Sequence, residues 1–167
     1  MYHNARRKAI RLPEYDYSED GAYFITICTK NKARILSQVV GPISDRPPGI
    51  MLSEAGRVAE QAIQEIPKHY SGVYADAYVI MPNHIHLLIR IEGGSGRSMI
   101  GPTGAPTLSR IIRQMKSAVT KRLGNSIWQD RFYDHIIRNE EDYSIRYQYI
   151  ENNPANWLLK RDEYCTI

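Results

Sequence analysis

His84 and His86 stand one residue apart in an apolar run, a spacing that suits a metal site. Side chains alternate faces along a β-strand, so the two imidazoles project to one side while Ile85, Leu87, Ile89 and Ile91 project to the other. The rise per residue puts them about 7 Å apart along the strand, near enough to converge on one ion. The plainer alternative is a pair of half-buried histidines satisfied by backbone carbonyls. Two of the chain's five histidines in so short a register, directly after Met81-Pro82-Asn83, favour the metal reading. A hydrolytic metal centre needs further His, Asp or Glu ligands. The remaining histidines, His3, His69 and His135, form no second cluster along the sequence. A two-histidine site with open positions suits a hard ion, Mg²⁺ or Mn²⁺, whose other positions go to water and phosphate oxygens.

Tyrosine is the other chemical resource, with 12 Tyr against 2 Phe and 2 Trp. A phenol can stack, hydrogen-bond or act as a nucleophile. Tyr143, Tyr147 and Tyr149 fall in one predicted helix. At about 100° per residue, Tyr143, Tyr147 and Ile150 share a face that reads as the packing face. Tyr149 lies on another, with Asn153 on the same side one turn later. A nucleophilic phenol needs an approach to its electrophile and stabilisation of its anion, which a divalent ion can assist. The helical pattern by itself does not rank Tyr149 above Tyr147.

The elements that must position these groups follow from apolar periodicity and turn chemistry. Residues 22–29 form a β-rich run bounded by Gly21 and Lys30-Asn31. A short strand is expected at 34–39, then a loop punctuated by Pro42, Pro47, Pro48 and Gly49. Ser53 caps a helix whose apolar residues recur from Ala55 to Ile66, up to Pro67. Strands at 74–81 and 84–91 flank a Pro82-Asn83 turn and should pair as a hairpin. Leu108 to Leu123 carries an amphipathic helix ending at Gly124, with Arg110, Arg113, Lys116, Lys121 and Arg122 on its basic face. A strand at 132–137 and a helix at 140–152, stopped by Pro154, complete the set. The first six elements read βαββαβ, a ferredoxin-like α+β fold: an antiparallel sheet with helices on one face, plus a C-terminal helix carrying the tyrosine.

The 167 residues are expected to form a single domain, with an N-terminal arm at 1–20, a flexible Gly- and Pro-rich loop at 92–106 and a C-terminal tail at 155–167. No apolar run approaches the roughly 20 residues needed to span a bilayer, so no membrane partner and no secretory leader are expected. Two cysteines, Cys28 and Cys165, make no disulfide framework, and a cytoplasmic location is the default. The net charge of +4 is compatible with a polyanionic partner but selects none.

Three blocks of the chain together resemble the single-tyrosine HUH transposases of the IS200-like family, and more narrowly their REP-associated tyrosine transposase branch. They are Tyr78-Val-Ile-Met-Pro-Asn-His-Ile-His-Leu-Leu, Trp128-Gln-Asp-Arg-Phe-Tyr-Asp-His-Ile-Ile-Arg-Asn and Tyr149-Ile-Glu-Asn-Asn-Pro. The resemblance runs from about Arg6-Arg7 to Pro154. It implies that His84, His86 and Asn153 hold Mg²⁺ or Mn²⁺ and that Tyr149 is the catalytic nucleophile. The insertion-sequence members usually carry Gln at the position of Asn153, which favours the REP-associated branch. The implied activity is cleavage and rejoining of single-stranded, hairpin-flanked DNA through a 5′-phosphotyrosine, in the cytoplasm. Arg6, Arg7 and Lys8, Arg110 and Arg113, and Trp128 and Arg131 are the implied DNA contacts, and a homodimer is compatible with the family. The alternative is a catalytically silent relative that binds hairpin DNA or RNA. A relaxase or replication initiator usually carries a third histidine or a second tyrosine, and a generic metallohydrolase lacks ligands here. His135 reads as a supporting residue.

Overall fold

A computed structural model describes residues 20–41, 47–92 and 107–159. Its centre is a four-stranded antiparallel sheet in the order β4-β5-β1-β6, with β1 at Gly21–Cys28, β4 at Val73–Ile80, β5 at His84–Ile91 and β6 at Tyr133–Ile137. Strands from both sides of the Gly-rich 92–106 segment join this one sheet. The predicted hairpin forms with the predicted turn: the backbone N–H of Met81 donates to the His84 carbonyl at 2.8 Å, with Pro82 and Asn83 between them.

On one face lie α1 (Glu54–Gln64) and α3 (Leu108–Leu123). Tyr23, Ile25 and Ile27 of β1 and Ile85, Leu87, Ile89 and Ile91 of β5 meet Ala59 and Ile63 of α1 and Ile111, Met115 and Val119 of α3 there. Ser53 caps α1, its hydroxyl accepting from the Gly56 N–H at 3.0 Å, and also donates to the Leu36 carbonyl at 2.8 Å. Gly124 closes α3 at φ 77°, a left-handed conformation that glycine adopts without strain. A one-turn helix, α2 (Ile66–His69), follows α1 and has Pro67 in its first turn.

The opposite face is covered by α4 (Glu140–Leu159). A second core joins Phe24, Val79, Met81 and Leu88 of the sheet side to Ile150 and Trp157 of α4. Both faces of β5 are therefore covered, and this strand is buried almost throughout.

Three expectations are corrected. The final helix does not stop before Pro154 but runs through it to Leu159, so 155–159 is helix rather than tail. Proline at that position forfeits one N–H bond to the preceding turn. Burial of Trp157 three residues on, at 8% exposure, offsets that loss. The strand expected at 34–39 is β2 (Ser37–Val40), and the punctuated loop after it contains β3 (Gly49–Leu52), paired to β2 as a separate two-stranded sheet. Ile50 and Leu52 of β3 pack against the second and first cores respectively, which gives this short strand its anchorage. The packing face of α4 is shifted from the one expected: Ile150 is buried and Tyr143 packs on the second core, but Asn153 and Trp157 are buried as well and Tyr147 is 38% exposed. The arm with Arg6, Arg7 and Lys8, the body of the 92–106 loop and the tail beyond Leu159 lie outside the described residues.

Candidate functional site

The site forms where α4 crosses the His84 end of the β1–β5 pair. Antiparallel register sets Cys28 opposite His84, Thr26 opposite His86 and Phe24 opposite Leu88. The alternation that sends Ile85 and Leu87 into the first core sends both histidines to the α4 face. Their rings converge well inside the strand spacing, with centroids 4.6 Å apart.

Each imidazole is oriented through Nδ1. His84 Nδ1 is 2.7 Å from Asn83 Oδ1, and His86 Nδ1 is 2.9 Å from Thr26 Oγ1. The carboxamide oxygen only accepts, so His84 carries its proton on Nδ1 and leaves an Nε2 lone pair. Both Nε2 atoms are buried without a hydrogen-bond partner. Desolvation lowers the pKa of His84 to about 4. Desolvation and then the neighbouring His84 hold His86 well below its usual value. Neutral imidazoles with an outward lone pair are what a cation requires.

Asn153 is fully buried on the sheet-facing side of α4, and neither its amide oxygen nor its amide nitrogen has a partner. Buried polar atoms are rarely left unpaired, and three sets of them on facing elements mark a place built for something else. The donor set, two imidazole nitrogens and a carboxamide oxygen, fits Mg²⁺ or Mn²⁺ with positions to spare. Among the described residues no group of three or more His, Cys, Asp and Glu assembles, so a richer hydrolytic centre is not found there.

Tyr149 packs edge-on against His86, centroids 5.2 Å apart, and edge-on against Phe24 at 5.8 Å. Phe24 itself stacks on His86 at 5.2 Å, and Trp157 flanks His84 at 5.8 Å. The other two tyrosines of α4 are placed differently. Tyr143 donates to Asp76 Oδ2 at 3.0 Å, and burial together with that bond pushes its pKa up to about 12. Tyr147 stacks on Tyr143 with centroids 6.5 Å apart, on the exposed flank of the helix. Tyr149 meets His86 and Trp157 meets His84, and Asn153 lies buried between them on α4, one helical turn from each.

Of the residues expected to contact nucleic acid, Arg113, Trp128 and Arg131 line one groove with Lys116, a cavity of about 630 Å³ between α3 and the 126–132 segment. Arg110 is exposed on the same helix but does not line it. Trp128 is 2% exposed in the first core, so its ring is not free to stack on a base; its indole N–H has no acceptor. Trp128 also bridges Thr29, one residue past Cys28, so the groove begins at the sheet end that bears His84.

His135 takes a supporting position: its Nε2–H donates to Asp142 Oδ2 at 2.8 Å. Burial raises the pKa of Asp142, but bonds from His135, the Arg138 backbone and Arg146 outweigh it and hold the carboxyl below its usual range. Thr26, Asn83, Phe24 and Arg146 escape a reading of motifs. Strand register signals the first and third, and Arg146 stands one helical turn before Tyr149.

The chain matches, over residues 17–153, the family model described as Transposase IS200 like. An uncharacterized protein of Haemophilus influenzae is 35% identical over 167 aligned residues, covering 90% of this chain and 89% of that one. The REP-associated tyrosine transposase of Escherichia coli is 34% identical over 92 residues, 53% of this chain and 50% of the relative. Among solved structures, a REP-associated tyrosine transposase bound to a REP hairpin superposes with a TM-score of 0.63 at 24% identity, covering 87% of this chain and 73% of that one, a likeness of fold.

Proposed function

The chain belongs to the IS200-like transposase family, with a REP-associated tyrosine transposase among its relatives, and on that premise we propose that it cleaves and rejoins single-stranded DNA beside a hairpin through a covalent tyrosyl intermediate. The observation that carries the reading is the paired, unpartnered Nε2 atoms of His84 and His86 beside the Tyr149 ring, with the unpartnered Asn153 amide buried one helical turn after Tyr149.

In this reading Tyr149 is the nucleophile. Its oxygen bonds to the scissile phosphorus as the bond to the 3′-oxygen breaks, which leaves a 5′-phosphotyrosine and a free 3′-hydroxyl. The phenol gives up its proton and the leaving oxygen takes one up. One phosphodiester is exchanged for another, so the bond energy is retained and the reaction can run backward to join strands. His84, His86 and Asn153 would hold Mg²⁺ or Mn²⁺, which supplies charge stabilisation at the phosphate. Asn83 fixes the tautomer and orientation of His84, and Thr26 the orientation of His86. Phe24 and Trp157 wall the site and limit water. The groove lined by Arg113, Lys116 and Arg131 would bind the DNA backbone, and Arg110 with the Arg6-Arg7-Lys8 arm would add phosphate contacts. All four site residues belong to one chain, which supports cleavage by a monomer; a homodimer would then serve to pair DNA ends. Such a reaction belongs in the cytoplasm, and among the described residues no helix is long and apolar enough to cross a membrane.

The test is covalent capture. Hairpin oligonucleotides from the flanks of the coding sequence, incubated with the protein and Mg²⁺ or Mn²⁺, should give a protein–DNA adduct on denaturing gels. Tyr149→Phe should abolish the adduct and keep hairpin affinity within about twofold, while Tyr147→Phe, on the exposed flank, should leave it intact. An adduct persisting in Tyr149→Phe overturns the nucleophile assignment. Hairpin binding with no adduct under any metal would instead identify a catalytically silent binding protein.

A further inference from the structure

Arg146 lies one helical turn before Tyr149 on α4 and takes no part in the cleavage chemistry proposed for the other site residues. Its guanidinium carbon is 5.4 Å from the centre of the Phe24 ring. That ring also stacks on His86 and meets Tyr149 edge-on. The cation therefore borders the aromatic cluster that contains the unpartnered imidazole and the phenol.

Its anchorage is one-sided. Arg146 Nε donates to Asp142 Oδ1 at 3.3 Å, and His135 holds the other oxygen of that carboxylate. Arg146 Nη2 approaches His135 Nε2 at 3.5 Å, and Nη1 has no partner among the described residues. Arg90, by contrast, is fully engaged: it spends Nε and Nη2 on Asp76 and Nη1 on Glu92. An arginine tied at its base with part of its fork free is suited to take a phosphate.

We propose that Arg146 is the phosphate-binding cation of this site, donating to a non-bridging oxygen of the phosphate that Tyr149 attacks, with Asp142 and His135 positioning it. The inference rests on the transposase reading. While the Tyr149–phosphorus bond forms and the bond to the 3′-oxygen breaks, negative charge on the non-bridging oxygens meets a fixed cation that exchanges no proton. Such preorganised donors act mainly on the rate.

The test uses the full chain. Arg146→Gln should slow adduct formation by about 10²-fold, and Arg146→Lys, which keeps charge without the fork, should recover part of it. Replacing one non-bridging oxygen of the scissile phosphate by sulfur should slow the wild type in one diastereomer and leave Arg146→Gln no slower than it already is. A merely structural role would not erase that stereochemical effect. On the non-cleaving Tyr149→Phe background, Arg146→Gln should also reduce the dependence of log affinity on log salt for a single strand across the cleavage position, by about 0.7. An unchanged rate, or a sulfur effect that persists in Arg146→Gln, overturns the proposal. If wild-type protein forms no adduct, the transposase reading fails, and the salt slope alone decides whether Arg146 touches phosphate. If Arg146→Gln does not fold, the sulfur effect in Arg146→Lys decides in its place: a weakened effect supports the proposal and an undiminished one overturns it.

Discussion

His84 and His86 are buried as neutral groups, and that burial makes stability depend on pH. In the unfolded chain both titrate near 6.5. In the metal-free fold, desolvation lowers His84 to about 4 and His86 well below its usual value. Between about pH 6.5 and 4 the unfolded state therefore takes up protons that the native state refuses, so stability falls as pH falls through that window and is level above it. Metal-free protein should lose roughly 5 °C of Tm between pH 7.5 and 5. His84→Gln should flatten part of the slope, and a Tm constant across the window would show that the imidazoles are not desolvated. The same neutrality, with the His84 proton on Nδ1 facing Asn83, leaves the His84 Nε2 lone pair available to a cation at neutral pH. Among the tyrosines, environment separates residues of identical chemistry: Tyr143 is bound to Asp76, Tyr147 stands on the exposed flank, and Tyr149 faces an imidazole.

At the scale of elements, two junctions set the geometry. The first is the start of α1 against the segment before β2. A Cβ at Gly56 would lie 2.0 Å from the Leu36 carbonyl oxygen and 3.3 Å from the Leu52 Cβ. The Leu36 carbonyl also accepts from the Ser53 N–H at 2.9 Å, and the Leu36 N–H donates to the Pro82 carbonyl at 3.0 Å, so displacement there reaches the turn before His84. Gly56→Ala should cost about 3 kcal/mol in urea unfolding; a cost below about 1 kcal/mol would mean that the junction yields. The second junction is the start of α4. Asn139 caps it by accepting from the Asp142 N–H at 2.8 Å, and Glu140, Glu141 and Asp142 place negative charge at the helix N-terminus. That cap fixes where the helix begins, and the packing of Ile150 and Trp157 sets which of its tyrosines meets the sheet.

The whole molecule is a three-layer arrangement, with α1 and α3 on one face of the sheet and α4 on the other. The α4 layer carries the smaller core and the site together, so docking of this helix and assembly of the site are one event. Trp157→Ala removes its terminal anchor beside His84 and should cost about 3 kcal/mol. Hydrogen exchange should then quicken over 150–159 while β1 and β5 keep their protection; uniform quickening would mean that the layers are not separable. Most of the layering was legible in the sequence, because strand and helix periods are local properties of the chain. Alternation alone sent His84 and His86 to one face, and the order of elements followed from apolar spacing and turn residues. The β2–β3 hairpin was only half legible, since the Pro and Gly around β3 mark a loop and its strand character comes from pairing. Pro154 misled for the same kind of reason: its local cost is real, but the burial of Trp157 outweighs it. The phase of α4 could not be read from periodicity, because the face it buries includes Asn153, Arg146 and Tyr149, residues a hydrophobic pattern assigns to solvent. By itself the sequence determined which groups exist and which of them share a side of a strand or helix. Only the tertiary structure decided that two imidazoles, a carboxamide and a phenol meet, because that depends on how a largely polar helix face fits the polar patch of a sheet.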